Sequence, residues 1–174
     1  MDLVWAPWRA KYIKMNAKDK NCIFCYFNDV EISKIDPSYE NLLIYKSSRC
    51  FVMMNKYPYV NGHLMVIPYR HISDIIFLDN EEKMDIFNNI QFCVEVLKEV
   101  YKPDGFNIGI NIGRIAGAGI DQHLHFHIVP RFSADHNFMT VISNTRVISF
   151  SLEETYNDLI KAVKTRKKRD SYGL

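Results

Sequence analysis

The stretch HLHFHIVPR, residues 123–131, places three of the chain's six histidines at every second position of a short apolar segment. Successive side chains of a β-strand point to opposite faces, so His123, His125 and His127 are predicted to project from one face of a strand. A single histidine there would indicate only a polar strand face. Three in register, directly after the glycine-rich loop RIAGAGIDQ, favour a functional site.

Imidazole side chains can bind a metal, act as a general base or attack phosphorus. Their unperturbed pKa of about 6.5 leaves a neutral nitrogen available near neutral pH. Attack on phosphorus would form a covalent phosphoramidate and divide one displacement into two. An anion-binding nest beside the histidines could come from the backbone N–H groups of four loop residues, Gly117, Ala118, Gly119 and Ile120. The glycines alone are also typical of a flexible hairpin connection.

Strand-like segments surround this site. The segments LLIYKS, CFVMMN and HLMVIP, within residues 42–68, are separated by turn-forming residues and predict an antiparallel meander. Two further strands are predicted in GFNIGINIG (105–113) and HLHFHIVP (123–130).

Two helices complete the predicted fold. The first is expected to begin at an N-cap on Asn80 and to end before Pro103, with an apolar face made of Met84, Phe87, Ile90, Val94 and Leu97. The second is expected to open with a capping box, Ser151 to Glu154. The fold class is therefore α+β, a mostly antiparallel sheet of about five strands with two main helices.

Length and composition favour one globular domain of 174 residues. We divide it into an N-terminal arm (1–35), a catalytic core (36–150) and a C-terminal helix with a basic tail (151–174). No apolar run is long enough to span a bilayer, and no secretory signal is evident, so a cytoplasmic location without disulfides is expected. The basic run 164–169 is more typical of a solvated helix end than of an RNA-binding or lipid-binding tail.

The pair Cys22 and Cys25 has the spacing of half a zinc site, which needs two more nitrogen or sulfur ligands. A redox pair and two buried cysteines without metal are the alternatives. No organic cofactor is expected.

The pattern HLHFHIV resembles the signature of the histidine triad (HIT) family of nucleotidyl transferases and hydrolases. The similarity extends over VWAPWRAKYI, CIFC and FVMMNKYPYVNGHLMVIPYRH, from about Val4 to Phe150, and is closest to the bacterial branch of diadenosine tetraphosphate phosphorylases. It implies a catalytic set of three histidines in which His125 is the nucleophile and His127 contacts phosphate oxygens.

The resemblance also implies binding roles. Asn55 would bind ribose hydroxyls and Asn111 would hold phosphates, although each could be a turn or strand-end residue. In family members with a CxxC pair, a structural zinc is held by four ligands, which here are Cys22, Cys25, His71 and His123.

The implied reaction is cleavage of an adenine dinucleoside polyphosphate with inorganic phosphate as acceptor, by a homodimer that pairs edge to edge through its sheets. Hydrolytic members carry Gln-Ser or Gln-Thr in the loop before the triad, where this chain has Gly119 and Ile120. That difference favours phosphate over water. A hydrolase, a nucleotide-binding protein with little turnover, and RNA binding through the basic tail are the alternatives.

Overall fold

The computed structural model describes residues 22–25, 36–133, 142 and 148–171, with side chains described as far as Arg166. Two short 3-10 turns, Ile75–Phe77 and Arg114–Ala116, accompany the main elements. In chain order these are β1 (Leu43–Lys46), β2 (Cys50–Met54), β3 (Leu64–Pro68), α1 (Asn80–Tyr101), β4 (Gly105–Ile110), β5 (Phe126–Arg131) and α2 (Leu152–Ser171).

The described strands form one antiparallel sheet in the order β1-β2-β3-β5-β4. The predicted meander and the α+β class are confirmed. Strands β2 and β3 are buried along their whole length, as expected for strands packed against α1 on the inner side of the fold. Strand β5 lies between β3 and β4, and its His127 is paired with Met65 on one side and Gly109 on the other.

The strand around the triad is shorter than predicted. It begins at Phe126, so His123 and His125 precede the regular ladder and the expectation of three alternating strand positions is wrong for these two. The backbone N–H of Leu124 instead donates to the carbonyl of Ile72, at 2.6 Å. This bond draws the segment toward the loop after β3. Asn111 likewise lies one residue beyond the end of β4.

Helix α1 begins one residue away from the predicted position. Asp79, not Asn80, is the N-cap, because its carboxylate accepts from the Glu82 N–H (2.8 Å) while the Glu82 carboxylate accepts from the Asp79 N–H (3.0 Å). The predicted apolar face is also partly wrong, since Met84 and Phe87 are 63% and 68% exposed. The face that packs on the sheet is made of Ile86, Cys93, Val96 and Leu97.

Helix α2 opens as predicted, with a capping box in which the Glu154 N–H donates to the Ser151 hydroxyl (3.1 Å) and the Ser151 N–H donates to the Glu154 carboxylate (2.9 Å). The Tyr156 hydroxyl donates to the Leu43 carbonyl at 3.2 Å and joins this helix to β1. Neither α1 nor α2 is long and apolar enough to cross a membrane, and no other described helix is.

Candidate active site and metal centre

His125 is buried, with 6% of its surface exposed. Its Nδ1 lies 2.8 Å from the backbone carbonyl of His123. Because a carbonyl oxygen can only accept, Nδ1 carries the ring proton and Nε2 keeps its lone pair in the neutral form. Burial lowers the pKa of His125, which favours that neutral form. The ring therefore presents a nucleophilic nitrogen.

His127 presents an Nε2–H donor where His125 presents a lone pair, because a chain of hydrogen bonds places its ring proton. The Tyr59 backbone N–H donates to Nδ1 of His63 (3.2 Å), so the proton of neutral His63 is on Nε2. That nitrogen donates to Nδ1 of His127 at 3.0 Å. The proton of neutral His127 is consequently on Nε2, which can donate to an oxygen.

Both rings of this pair are held neutral. Burial, and then repulsion from His127, lowers the pKa of His63 to about 3. Burial, and then repulsion from His125, lowers the pKa of His127 to about 4. A neutral pair preserves the direction of the hydrogen bonds at physiological pH.

The sequence analysis missed His63 as a site residue. It directly precedes β3, whose Met65 is paired with His127, so the two imidazoles meet across neighbouring strands. The signal that could have found it is the Gly-His pair that opens HLMVIP, within the segment that resembles the histidine triad family.

The two predicted asparagines lie in different surroundings. Asn55 accepts from the Tyr57 N–H through Oδ1 (2.9 Å), as a turn residue would, and its Nδ2 lies 3.4 Å from Nδ1 of His63. Asn111 lies beside the glycine-rich loop, since a Cβ atom added to Gly117 would be 4.0 Å from its Nδ2. The loop and both asparagines thus come to the same end of the sheet as the triad.

Within the loop, Gly117 has φ +96°, a conformation that side chains disfavour. Ala118 is buried, whereas Gly119 is exposed and Ile120 is half-buried. The four residues predicted to bind phosphate therefore differ in access to solvent.

All four predicted metal ligands come together, with ligand atoms within 4.8 Å of one another. The Cys25 Sγ lies 3.0 Å from Nδ1 of His71, and Nδ1 of His123 lies 3.4 Å from the Cys22 Sγ and 3.6 Å from the Cys25 Sγ. Ligands of a tetrahedral zinc are roughly 3–4 Å apart, so the donors fit this ion.

The orientation of His123 also suits metal binding. Its Nε2–H donates to the Pro68 carbonyl at 2.9 Å, which leaves the Nδ1 lone pair directed at the thiols. Two imidazoles from distant segments beside one CxxC pair favour the metal alternative over the redox pair.

The candidate metal site adjoins His125. The Cys22 to Cys25 turn inserts the ring of Phe24, which is 2% exposed, against the triad. Its centroid is 5.4 Å from those of both His123 and His125. The turn therefore packs directly against the ring of His125.

This antiparallel sheet, with the imidazoles of residues 123, 125 and 127 together at one end, is typical of a histidine triad protein. A family model described as "HIT domain" matches residues 37–134. The chain belongs to the HIT domain family.

Among its relatives is the AP-4-A phosphorylase of Mycobacterium tuberculosis, 35% identical over 155 residues that cover 87% of this chain and 79% of the relative. The bis(5'-adenosyl)-triphosphatase of Saccharomyces cerevisiae is 34% identical over 91 residues, 52% of this chain and 44% of that protein. A Zn-bound histidine triad family protein from Mycobacterium smegmatis superposes with a TM-score of 0.64 at 26% identity, covering 85% of this chain and 96% of the other.

Proposed function

We propose that this protein cleaves dinucleoside polyphosphates, with diadenosine tetraphosphate as the model substrate, by transferring a nucleotide to His125 and then to inorganic phosphate. One observation carries the proposal: the hydrogen bond from Nδ1 of His125 to the His123 carbonyl, which leaves Nε2 as a buried nucleophile. The two enzymes named above, which belong to the phosphorylase and triphosphatase classes, are consistent with it.

In the first step, Nε2 of His125 attacks the α-phosphorus. The new P–N bond forms as the bond to the bridging oxygen breaks, and ATP leaves with the electron pair. The Nε2–H of His127 stabilises the negative charge that develops on the departing oxygen. In the second step, an oxygen of phosphate attacks the same phosphorus, the P–N bond breaks and ADP is released.

The remaining site residues are assigned by their position. Backbone N–H groups of residues 117–120 and the amide of Asn111 hold the phosphate chain, and Asn55 binds the ribose after exchanging its present turn contact. His123 supports the nucleophile through its carbonyl while its ring binds the metal.

Phosphate is assigned as the acceptor because Gly119 and Ile120 stand where hydrolytic members have a polar pair. Incubation with diadenosine tetraphosphate, with and without phosphate, tests this assignment. Phosphorolysis gives ADP and ATP, and dependence on phosphate is expected. AMP as the main product in the presence of phosphate would contradict it and identify a hydrolase.

The nucleophile is tested separately by His125→Gly. This variant should form no nucleotidyl-protein in a single turnover, yet it should still bind the nucleotide, since the phosphate-binding loop is unchanged. Unaltered release of ADP from the variant would refute the role of His125.

Zinc is the metal assigned to Cys22, Cys25, His71 and His123, because two thiolates and two imidazoles are a typical structural zinc set. Such a zinc supplies a structural link between the N-terminal arm and the sheet. Metal analysis of protein purified without a histidine tag should give one zinc per chain. Protein with no zinc and two titratable thiols at this turn would contradict the assignment. Cysteines at positions 22 and 25 that hold a metal and form no disulfide would agree with the proposed cytoplasmic location.

The protein is proposed to be a homodimer paired through β4. This strand is at the edge of the described sheet, residues 107–109 are exposed, and Ile108 is 47% exposed. An exposed apolar edge strand favours pairing with a second strand. Light scattering should give the dimer mass, and Ile108→Lys should give the monomer. A monomeric wild type would contradict this proposal.

A further inference from the structure

Tyr59 is a half-exposed aromatic residue at the outer end of the histidine cluster. Its ring centroid is 4.7 Å from that of His63, with the planes tilted by 35°. The ring covers His63, which is 1% exposed, whereas Tyr59 itself is 49% exposed. One side of the phenol ring is therefore occupied and much of the remainder faces solvent.

Tyr59 also ends a row of rings that starts at the nucleophile. The His125 and His127 centroids are 4.9 Å apart, and His127 is 5.1 Å from His63. Tyr59 is 6.1 Å from His127. The proposed donor to the departing oxygen thus lies between the nucleophile and Tyr59.

We propose that Tyr59 stacks on the base of the departing nucleotide and so selects dinucleoside over mononucleoside polyphosphates. This inference rests on the proposed function, in which His125 retains one nucleotide while the other leaves past His127. Because His127 stands between them, the departing half of the substrate lies on the Tyr59 side. An aromatic ring accepts any base by stacking, so this contact selects for the presence of a second base and hardly for its identity.

Two substrates distinguish the stacking of Tyr59 on the second base from the other contributions of the site. Diadenosine tetraphosphate and adenosine tetraphosphate both place the same adenylyl group on His125. Their leaving groups are ATP and triphosphate, so only the first has a base that can reach Tyr59. Values of kcat/KM for both substrates, at saturating phosphate, are measured for the wild type, Tyr59→Phe and Tyr59→Leu.

Wild type and Tyr59→Phe should prefer the dinucleotide, since both keep the ring. Tyr59→Leu keeps an apolar cover over His63 but has no ring. Its kcat/KM should fall roughly tenfold for diadenosine tetraphosphate and change little for adenosine tetraphosphate. The ratio of the two kcat/KM values does not change when a substitution disturbs the whole site, because both substrates use the same His125 and His127.

An equal fall in kcat/KM for both substrates in Tyr59→Leu would overturn the inference and leave Tyr59 only as a cover for His63. A wild type that cleaves both substrates equally well would also overturn it, with the proposed function intact. A wild type that cleaves neither would overturn the proposed function, and this inference with it.

Discussion

Gly62 shows how one residue sets the position of the site, because it directly precedes His63. Its φ of +79° is disfavoured for side chains, and a Cβ atom there would lie 2.9 Å from Cδ2 of Leu97 and 3.3 Å from the ring of Tyr101. Gly62→Ala should therefore destabilise the protein by roughly 1–3 kcal/mol, measured by denaturant unfolding.

Gly105→Ala is the matched control for that substitution, since nothing lies within 4 Å of its added Cβ. It should leave the free energy of unfolding nearly unchanged. Equal effects of the two substitutions would show that the close approach to α1 does not constrain Gly62.

His63 should make the stability of the protein depend on pH. Its pKa is about 3 in the folded state, whereas an unfolded histidine titrates near 6.5. Between these values the unfolded chain binds more protons, so stability is complete above about pH 6.5 and declines as the pH falls. His63→Gln removes this titration while keeping an N–H donor for His127.

The test compares unfolding free energies of the wild type and His63→Gln at about pH 7 and about pH 5. The difference between the two proteins should shrink by roughly 1–2 kcal/mol on acidification. Proton uptake by His123, His125 and His127 occurs in both proteins and largely cancels, since Gln at position 63 keeps the donor to His127. A constant difference across this range would contradict the low pKa of His63.

At the scale of elements, the start of α1 is fixed to the loop that carries His71. Glu82 is buried, and its carboxylate accepts from Nε (2.7 Å) and Nη2 (2.6 Å) of Arg70 as well as from the Asp79 N–H. The hydrogen bonds from Arg70 hold the pKa of Glu82 below its usual value. Its stabilising contribution is therefore present above about pH 4.5 and is lost as the pH falls through the lowered pKa.

Glu82→Gln should destabilise the protein by roughly 1–3 kcal/mol near neutral pH, because the Arg70 guanidinium loses a charged acceptor. Glu81→Gln is the matched control in the same helical turn, since Glu81 is 70% exposed and its pair with Arg49 lies on the surface. Thermal unfolding of both variants tests this prediction. Similar losses of stability would mean that the pair of half-exposed Arg70 with buried Glu82 adds nothing beyond a surface pair.

The elements differ in how well the sequence predicts them. Short apolar segments separated by turn-forming residues are sufficient to predict the meander, and the Ser151 to Glu154 capping box is sufficient to predict the start of α2, because both are local patterns. The face of α1 was not predictable from spacing, since Met84 and Phe87 recur as regularly as Ile86 and Cys93. Only packing on the sheet distinguishes the two stripes.

The candidate site, like the elements, is predictable where a local sequence pattern indicates it and not where contacts between segments determine it. The triad pattern indicates His125 at once, but it does not show the hydrogen bonds that place the ring protons. The His123 carbonyl places that of His125, and the bonds from Tyr59 to His63 and from His63 to His127 place that of His127. Only the bond from His63 to His127 joins segments distant in sequence, and no local pattern predicts it. The shortened start of β5 has a similar origin, since the bond from Leu124 to Ile72 is a contact of two loops.

At the scale of the whole molecule, four segments meet at the candidate site. They are the turn 22–25, the loop 55–63 after β2, the loop 69–72 after β3, and residues 123–127. The candidate metal site joins three of them, and Phe24 lies between that site and His125. A bound metal should consequently stabilise both the attachment of the turn and the position of His125.

Removing that metal should lower the melting temperature, because an ion that binds the folded chain and not the unfolded chain adds its binding free energy to folding. A chelator is therefore expected to lower the melting temperature of the zinc-loaded wild type. Cys25→Ser should melt at a lower temperature and should no longer respond to the chelator, since it lacks one of the four donors. Cys93→Ala is the matched control: this buried thiol lies outside the cluster, so the variant loses some packing but keeps the chelator response. A chelator response that persists in Cys25→Ser would mean that the metal binds elsewhere, and its absence in the zinc-loaded wild type would mean that the cluster contributes nothing to the stability of the fold.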